Sequence, residues 1–385
     1  MNPVSTRHAL RSQFFVLGVL FSSWGVHVPT VKAHYGLDDR QLAMAMLTGG
    51  VGSLIALSQA GRVVARLGPR RVSLLMGLAC AASVAALIAS TQIAALLIVM
   101  LAFGVTGSLF DVAINAEASE IERLSGGHLM SGFHGMFSLG GMCGAGLGSA
   151  ATALGFSAQQ HLLLATGLCV PAVVIASLFM LALEPAAEEA KRPMGIPRGA
   201  LLLIGVLAAL GLITEGAMYD WSVLYMKQER GSDAPVAALA FAAFSAAMAI
   251  GRFGGDWARA RWSSVTLMRW SGALAAAGMA LVLLLPWPIA SLLTFAAVGL
   301  GLSNVVPVLF SAASKLPGVA PAHGIAAVSS LGYLGMMAGP PLIGLLAQAS
   351  SLTVGLSTVV LFAAVMGLAA RRALGNASAQ GSPSQ

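Results

Sequence analysis

Along this chain, runs of apolar residues long enough to cross a bilayer alternate with short polar turns. Twelve such runs are read, at about 12–31, 41–63, 72–90, 93–119, 129–153, 160–183, 199–226, 235–257, 264–285, 288–314, 324–348 and 351–370. Each is near the roughly 17–25 residues that a helix needs to span hydrocarbon. The pattern predicts an all-α polytopic membrane protein. Gly, Ala and Ser recur at close spacing within the runs, which lets helices approach where lipid gives no hydrophobic drive for association. The first run follows Arg7 and Arg11 as a signal peptide would. It is longer than a signal's apolar core and has no cleavage site before the polar turn at 32–40, so a retained first span is expected.

Composition and charge fix the orientation. With 57% hydrophobic and 9% charged residues among 385, the chain is not a soluble globular domain. If both termini are cytoplasmic, seventeen of the 21 Lys and Arg fall on the inner side, and only Lys32, Arg40, Lys227 and Arg230 lie outside. That is the positive-inside distribution expected of a multi-pass inner-membrane protein. The net charge of +7 is therefore a topological signal and does not point to nucleic acid. Cys80, Cys143 and Cys169 have the spacing of neither a metal site nor a disulfide framework. No metal or cofactor is expected.

The chain also reads as a duplication. "KAHYG" at 32–36 recurs as "KQERG" at 227–231, and Gly104 and Ser108 recur as Gly299 and Ser303, all offset by 195. "LGGMCG" at 139–144 faces "YLGMMA" at 333–338, offset by 194. This implies an N-terminal half at 1–183, a charged cytoplasmic linker at 184–198, a C-terminal half at 199–372 and a small, polar tail at 373–385 expected to be disordered. Parallel repeats of this kind place a solute site near the midplane between halves that rock against each other.

Two segments carry a family resemblance. "AGRVVARLGPRRV" at 60–72 resembles the loop signature of the major facilitator superfamily, and "GRFGGDWARARW" at 251–262 resembles its second-half copy. The first copy has Ala65 where an acid is usual, while the second keeps Asp256. The resemblance implies gating roles for Gly61, Arg62, Arg66, Gly68, Arg70, Arg71, Gly251, Arg252 and Asp256; the alternative is a basic turn that only sets topology. Four longer stretches, at 110–141, 215–226, 242–256 and 330–344, resemble the YbjJ-like bacterial inner-membrane permeases and, more distantly, the fucose–proton symporters.

Candidate chemistry lies where charge is costly. Asp111 sits within the fourth run, and no Lys or Arg occurs from 72 to 122, so it has no cation on its own hairpin. Ionisable groups at that depth face a cavity or a partner, which makes Asp111 a candidate proton carrier. Ser108, Asp111 and Asn115 share one helix face by their 3,4 spacing. His134, on the following span, is at comparable depth by a rise of about 1.5 Å per residue, so a contact across the hairpin is feasible. The alternative is a structural hydrogen bond. In the seventh span, "TEGAMYDWS" places Glu215 near the midplane and Asp220 near the outer interface, where Asp220 and Trp221 also suit a simple anchor. Tyr219 extends the Glu215 face.

The remaining candidates are solute contacts and a gate. Trp24 and His27 lie in "SSWGVHVP", before Pro29, which is expected to bend or end the span. Asn304 precedes Pro307, and Tyr333 lies in "GYLGMMAGPPLIG", whose Gly335, Gly339 and Pro340 read as a closely packed gate helix. Glu117, Glu120 and Glu122 read as solvated or paired with Arg123. No enzyme constellation or nucleotide-binding loop is present in the sequence. The sequence reading is a monomeric, proton-coupled symporter of a small polar solute such as a sugar or sugar derivative. A proton-driven exporter of amphipathic compounds and a non-transporting sensor are the alternatives.

Overall fold

Polar caps and glycine turns cut the apolar chain into helices. In this computed structural model, which describes residues 3–125, 129–181, 198–317, 319 and 321–378, they are α1 (Pro3–His34), α2 (Asp39–Leu67), α3 (Pro69–Ala85), α4 (Ile93–Ser125), α5 (Met130–Ala153), α6 (Ala158–Leu178), α7 (Ala200–Gln228), α8 (Ala234–Phe253), α9 (Gly255–Arg261), α10 (Ser264–Leu284), α11 (Pro288–Leu302), α12 (Val305–Ser314), α13 (Pro321–Ala349) and α14 (Leu352–Ser378). Asp38 and Gln41 close a capping box at α2, and Ser157 and Gln160 do so at α6, each satisfying two amides that the first turn leaves free. Between α2 and α3 the chain reverses at Gly68, whose φ of 79° is open to glycine, and Pro69 starts the next helix.

Among the described residues, ten segments, counting α11 and α12 as one, are long and apolar enough by themselves to cross a membrane. The short α3 and the glycine-rich α5 complete twelve passes. The tenth pass breaks at Ser303 and Asn304, just before Pro307. Pro29 does not end α1, which runs on to His34. At the other terminus α14 reaches Ser378, so the start of the expected disordered tail is helical, and 379–385 lie outside the described residues. Of the linker at 184–198, only Arg198 is described.

The two halves repeat the same packing. In the first, α1 lies along α5 and α2 along α4; in the second, α7 lies along α13 and α8 along α11. A Cβ added to Gly104 would stand 1.9 Å from the Gly49 carbonyl oxygen, and one added to Gly299 would stand 2.2 Å from that of Phe244. Both members of the second contact are offset by 195 from those of the first. The duplication is therefore one of helix contacts as well as of sequence.

Contacts between the halves are not uniform along the bundle. The α5–α8 seam is closed along its length, from Ser149 Oγ donating to the Pro235 carbonyl at 2.9 Å to Ser131 Oγ donating to that of Arg252 at 2.7 Å. Where α2 meets α13, Gly344 lies against Ala43 and Gly50 against Met337. Nearer the arginine-rich end, which carries the α2–α3 turn and α9, Gly61 has open space around it.

Candidate functional site

The centre of the seam holds a buried ion pair. On α7, every side chain from Ile213 to Tyr219 is buried, Glu215 among them. Its Oε1 accepts from Tyr219 Oη, one turn further along, at 2.9 Å, and from Arg252 Nη2 at 2.9 Å. Arg252 Nη1 donates to Ser138 Oγ at 2.7 Å. Ser138 belongs to α5, in the other half, so one guanidinium joins the halves at the acid. Rings pack around this group, with the Tyr219 centroid 5.2 Å from Phe241, 5.3 Å from Phe244 and 6.4 Å from Phe137.

The sequence reading counted Arg252 among the inner-side arginines and gave it a gating role, without a buried partner. α8 stays helical to Phe253 and Arg252 is buried on its last turn, its side chain reaching into the seam. Gly251 likewise belongs to the packed helix, where a Cβ would meet Ser303 Oγ at 2.2 Å. Asn304 Nδ2 donates to the Gly251 carbonyl at 3.3 Å and to Ser303 Oγ at 3.0 Å, tying the break between α11 and α12 to the same turn of α8. Asp256 lies beyond, on α9, half exposed and paired with Arg259 of its own helix.

Asp111 forms a second acidic site. Asn115 Nδ2 donates to the Asp111 carboxylate and to its carbonyl, both at 2.9 Å, as the shared helix face allows. The side chain keeps partial exposure. No cation is paired with it among the described residues. Tyr333, on α13, lies within electrostatic reach of both Asp111 and Glu215. The contact expected between His134 and Asp111 or Asn115 is not made. α5 packs along α1 and α8 and touches α4 little, and the His134 ring stands edge-on to Phe14 at 5.4 Å.

Trp24 is buried, and its Nε1 donates to Asp220 Oδ1 at 3.3 Å, bonding α1 to α7 across the halves. Asp220 is thus more than an interfacial anchor. His27 Nε2 and His161 Nδ1 are 2.8 Å apart, joining α1 to α6. The sequence reading missed His161 and Ser138. A histidine buried in an apolar run was a visible signal for the first; a serine in a glycine-rich helix gave none.

The other gating candidates are spread along the bundle. Gly335 packs against Ala209 and Gly339 against Ile213, so α13 is seated on α7, and Pro340 lies within its unbroken helix. Arg62 donates to Gln59 at 3.2 Å, Arg66 is exposed, and Arg70 and Arg71 begin α3. The inner glutamates of α4 part company. Glu120 pairs with Arg123, as expected. Glu122 instead accepts from the backbone N–H groups of Leu129 and Met130 at 2.6 and 2.8 Å, capping α5. Glu117 is fully buried, accepts from the Leu181 N–H at 2.7 Å and lies in electrostatic reach of Arg70. An acid on α4 thereby faces the loop whose own acid position is Ala65.

Two six-span halves that meet at a buried polar seam define a polytopic membrane transporter fold. Residues 12–323 match the model of the Major Facilitator Superfamily. An uncharacterized MFS-type transporter of Yersinia pestis is 34% identical over 370 residues, covering 96% of each chain. The membrane protein MosC of Rhizobium meliloti is 31% identical over 362 residues, covering 94% of this chain and 87% of its own. Among solved structures, an inward-facing, unoccupied bacterial homolog of the human lysosomal transporter Spinster superposes with a TM-score of 0.76 at 12% identity, covering 99% of each chain. The Escherichia coli fucose:proton symporter superposes with a TM-score of 0.66 at 16% identity, covering 97% of this chain and 99% of that one. The chain belongs to the Major Facilitator Superfamily.

Proposed function

We propose that the protein is a proton-coupled symporter of a small polar solute, a sugar or sugar derivative, working by alternating access in a bacterial inner membrane with both termini cytoplasmic. The observation that carries this reading is the pair of acids at the seam. Among the described residues Asp111 has an amide but no cation beside it, and Glu215 has a guanidinium that also holds the other half. Tyr333 lies within electrostatic reach of both.

In this mechanism Asp111 is the proton carrier, and Glu215 links charge to conformation. A proton on Glu215 removes the charge that holds Arg252 in place, so the guanidinium's bond to Ser138 across the halves loses its anchor. The contact between the halves then depends on proton occupancy, which differential binding to two states requires of any coupling device. Asn115, Asn304, Tyr219, Trp24 and His27 supply hydrogen-bonding and ring surfaces to the solute path. His134 and Asp220 take secondary roles in the proton path. The gate comprises the α2–α3 turn, the end of α8 and α13. The fucose:proton symporter among the similar structures supports a sugar-like solute.

The test is a solute screen in proteoliposomes under an imposed pH gradient, with wild type, Asp111→Asn and Glu215→Gln. Gradient-driven accumulation by wild type, with exchange but no accumulation in Asp111→Asn, is the expected result. Accumulation by both variants at the wild-type level would show that these acids are structural. Gradient-driven efflux of amphipathic dyes would assign the alternative, an exporter.

A further inference from the structure

The arginine-rich end carries a surface that the transport reading does not use. α9 presents Trp257 and Trp262 outward, 54% and 47% exposed, with their rings edge-to-face at 5.3 Å. The Arg261 guanidinium lies over the Trp257 ring, 4.6 Å from its centroid. Arg259 is engaged by Asp256, whereas no carboxylate is paired with Arg261 among the described residues. Its charge is therefore free to meet an anion from outside.

The adjoining helix indicates what kind of anion. α10 starts at Ser264, and Trp270, 72% exposed, stands six residues or about 9 Å above that start. Exposed Leu274, Leu281 and Leu284 continue the same apolar stripe to the far end of α10. A ligand fitting both parts has a negative headgroup at the level of α9 and long hydrocarbon beside α10. Trp favours that boundary because its ring is apolar and its N–H polar.

The feature belongs to one half only. Trp257, Arg261 and Trp262 correspond, at the offset of 195, to Arg62, Arg66 and Leu67. The basic charge recurs in the first half and the aromatic partners do not.

We infer that α9 and the foot of α10 form a binding site for one anionic glycerophospholipid, its phosphate on Arg261 beside the Trp257 and Trp262 rings, its acyl chains along the α10 stripe from Trp270. The site does not depend on the transport reading, since it lies outside the seam.

The test uses the full-length protein in phosphatidylcholine vesicles carrying a minor fraction of dibrominated phosphatidylglycerol or, in parallel, dibrominated phosphatidylcholine, with tryptophan quenching as the readout. Stronger quenching by the phosphatidylglycerol is expected, and the Trp257→Leu/Trp262→Leu variant should lose the excess. Arg261→Gln should lower the preference about fivefold, the worth of one basic residue near an anionic surface. Arg261→Lys should retain much of it, and Arg66→Gln in the first half should leave it unchanged. Equal quenching by the two lipids, or an unchanged preference in Arg261→Gln, would overturn the site. Emission restored by inorganic phosphate would assign the pocket to a soluble anion and overturn the lipid.

Discussion

The Glu215–Arg252 pair supports a quantitative prediction. The side chains are 8% and 9% exposed, so removing one partner strands the other charge away from water. Breaking such a pair costs about 3–5 kcal/mol. Each member here keeps one polar neighbour, Tyr219 for Glu215 and Ser138 for Arg252, which places either single loss near the lower figure. Arg252→Gln and Glu215→Gln should thus each destabilise by about 3 kcal/mol, whereas the double variant, with no stranded charge, should cost clearly less than the two together. Thermal unfolding of the four proteins in one detergent at one pH gives the cycle, and a coupling of about 1.5 kcal/mol or more is expected for a close charged pair. Additivity within about 0.5 kcal/mol would refute the claim that the pair acts as a unit. Because Ser138 lies in the other half, Arg252→Gln should also loosen the seam, read as faster thiol labelling of a cysteine introduced at Ser245, a buried α8 position packed against Gly141 of α5, in a background lacking the native cysteines.

Three further outcomes follow from individual contacts. Gly104→Ala and Gly299→Ala should each destabilise by about 1–3 kcal/mol, because the new Cβ meets a carbonyl oxygen that cannot turn away, while Gly61→Ala in open space should be neutral; melting temperatures of the three decide it. Trp24→Phe removes the donor to Asp220 and should cost about 1 kcal/mol, with Asp220→Asn costing less because an acceptor oxygen remains; equal losses would show that the bond contributes nothing. Glu122→Ala uncaps α5 and should cost about 1 kcal/mol, measured as earlier hydrogen exchange at Leu129 and Met130; unchanged exchange there would refute the cap.

The sequence by itself determined the membrane-spanning character, the twelve passes and the internal repeat. Those properties follow from local arithmetic: apolar run length against hydrocarbon thickness, and two copies of one pattern at one offset. It also pointed to Asp111, Asn115, Glu215 and Trp24, because a polar or large aromatic side chain inside an apolar run is conspicuous, and all four make the buried or half-buried polar bonds described above.

Only the tertiary structure decided who partners whom. Arg252 looked like one more arginine of a basic turn, although the eighth run already contained it; the structure turns its guanidinium into the seam, where it reaches residues 37 positions back on α7 and 114 positions back on α5. His134 and Asp111 looked adjacent because their spans are consecutive, yet α5 packs against α1 and α8, so sequence neighbours became spatial strangers. Glu117 and Glu122 looked solvated, and each found a backbone N–H instead. Depth in the membrane is set along one helix and can be counted from the chain; lateral partners depend on how twelve helices choose their neighbours, and nothing in a single span encodes that choice.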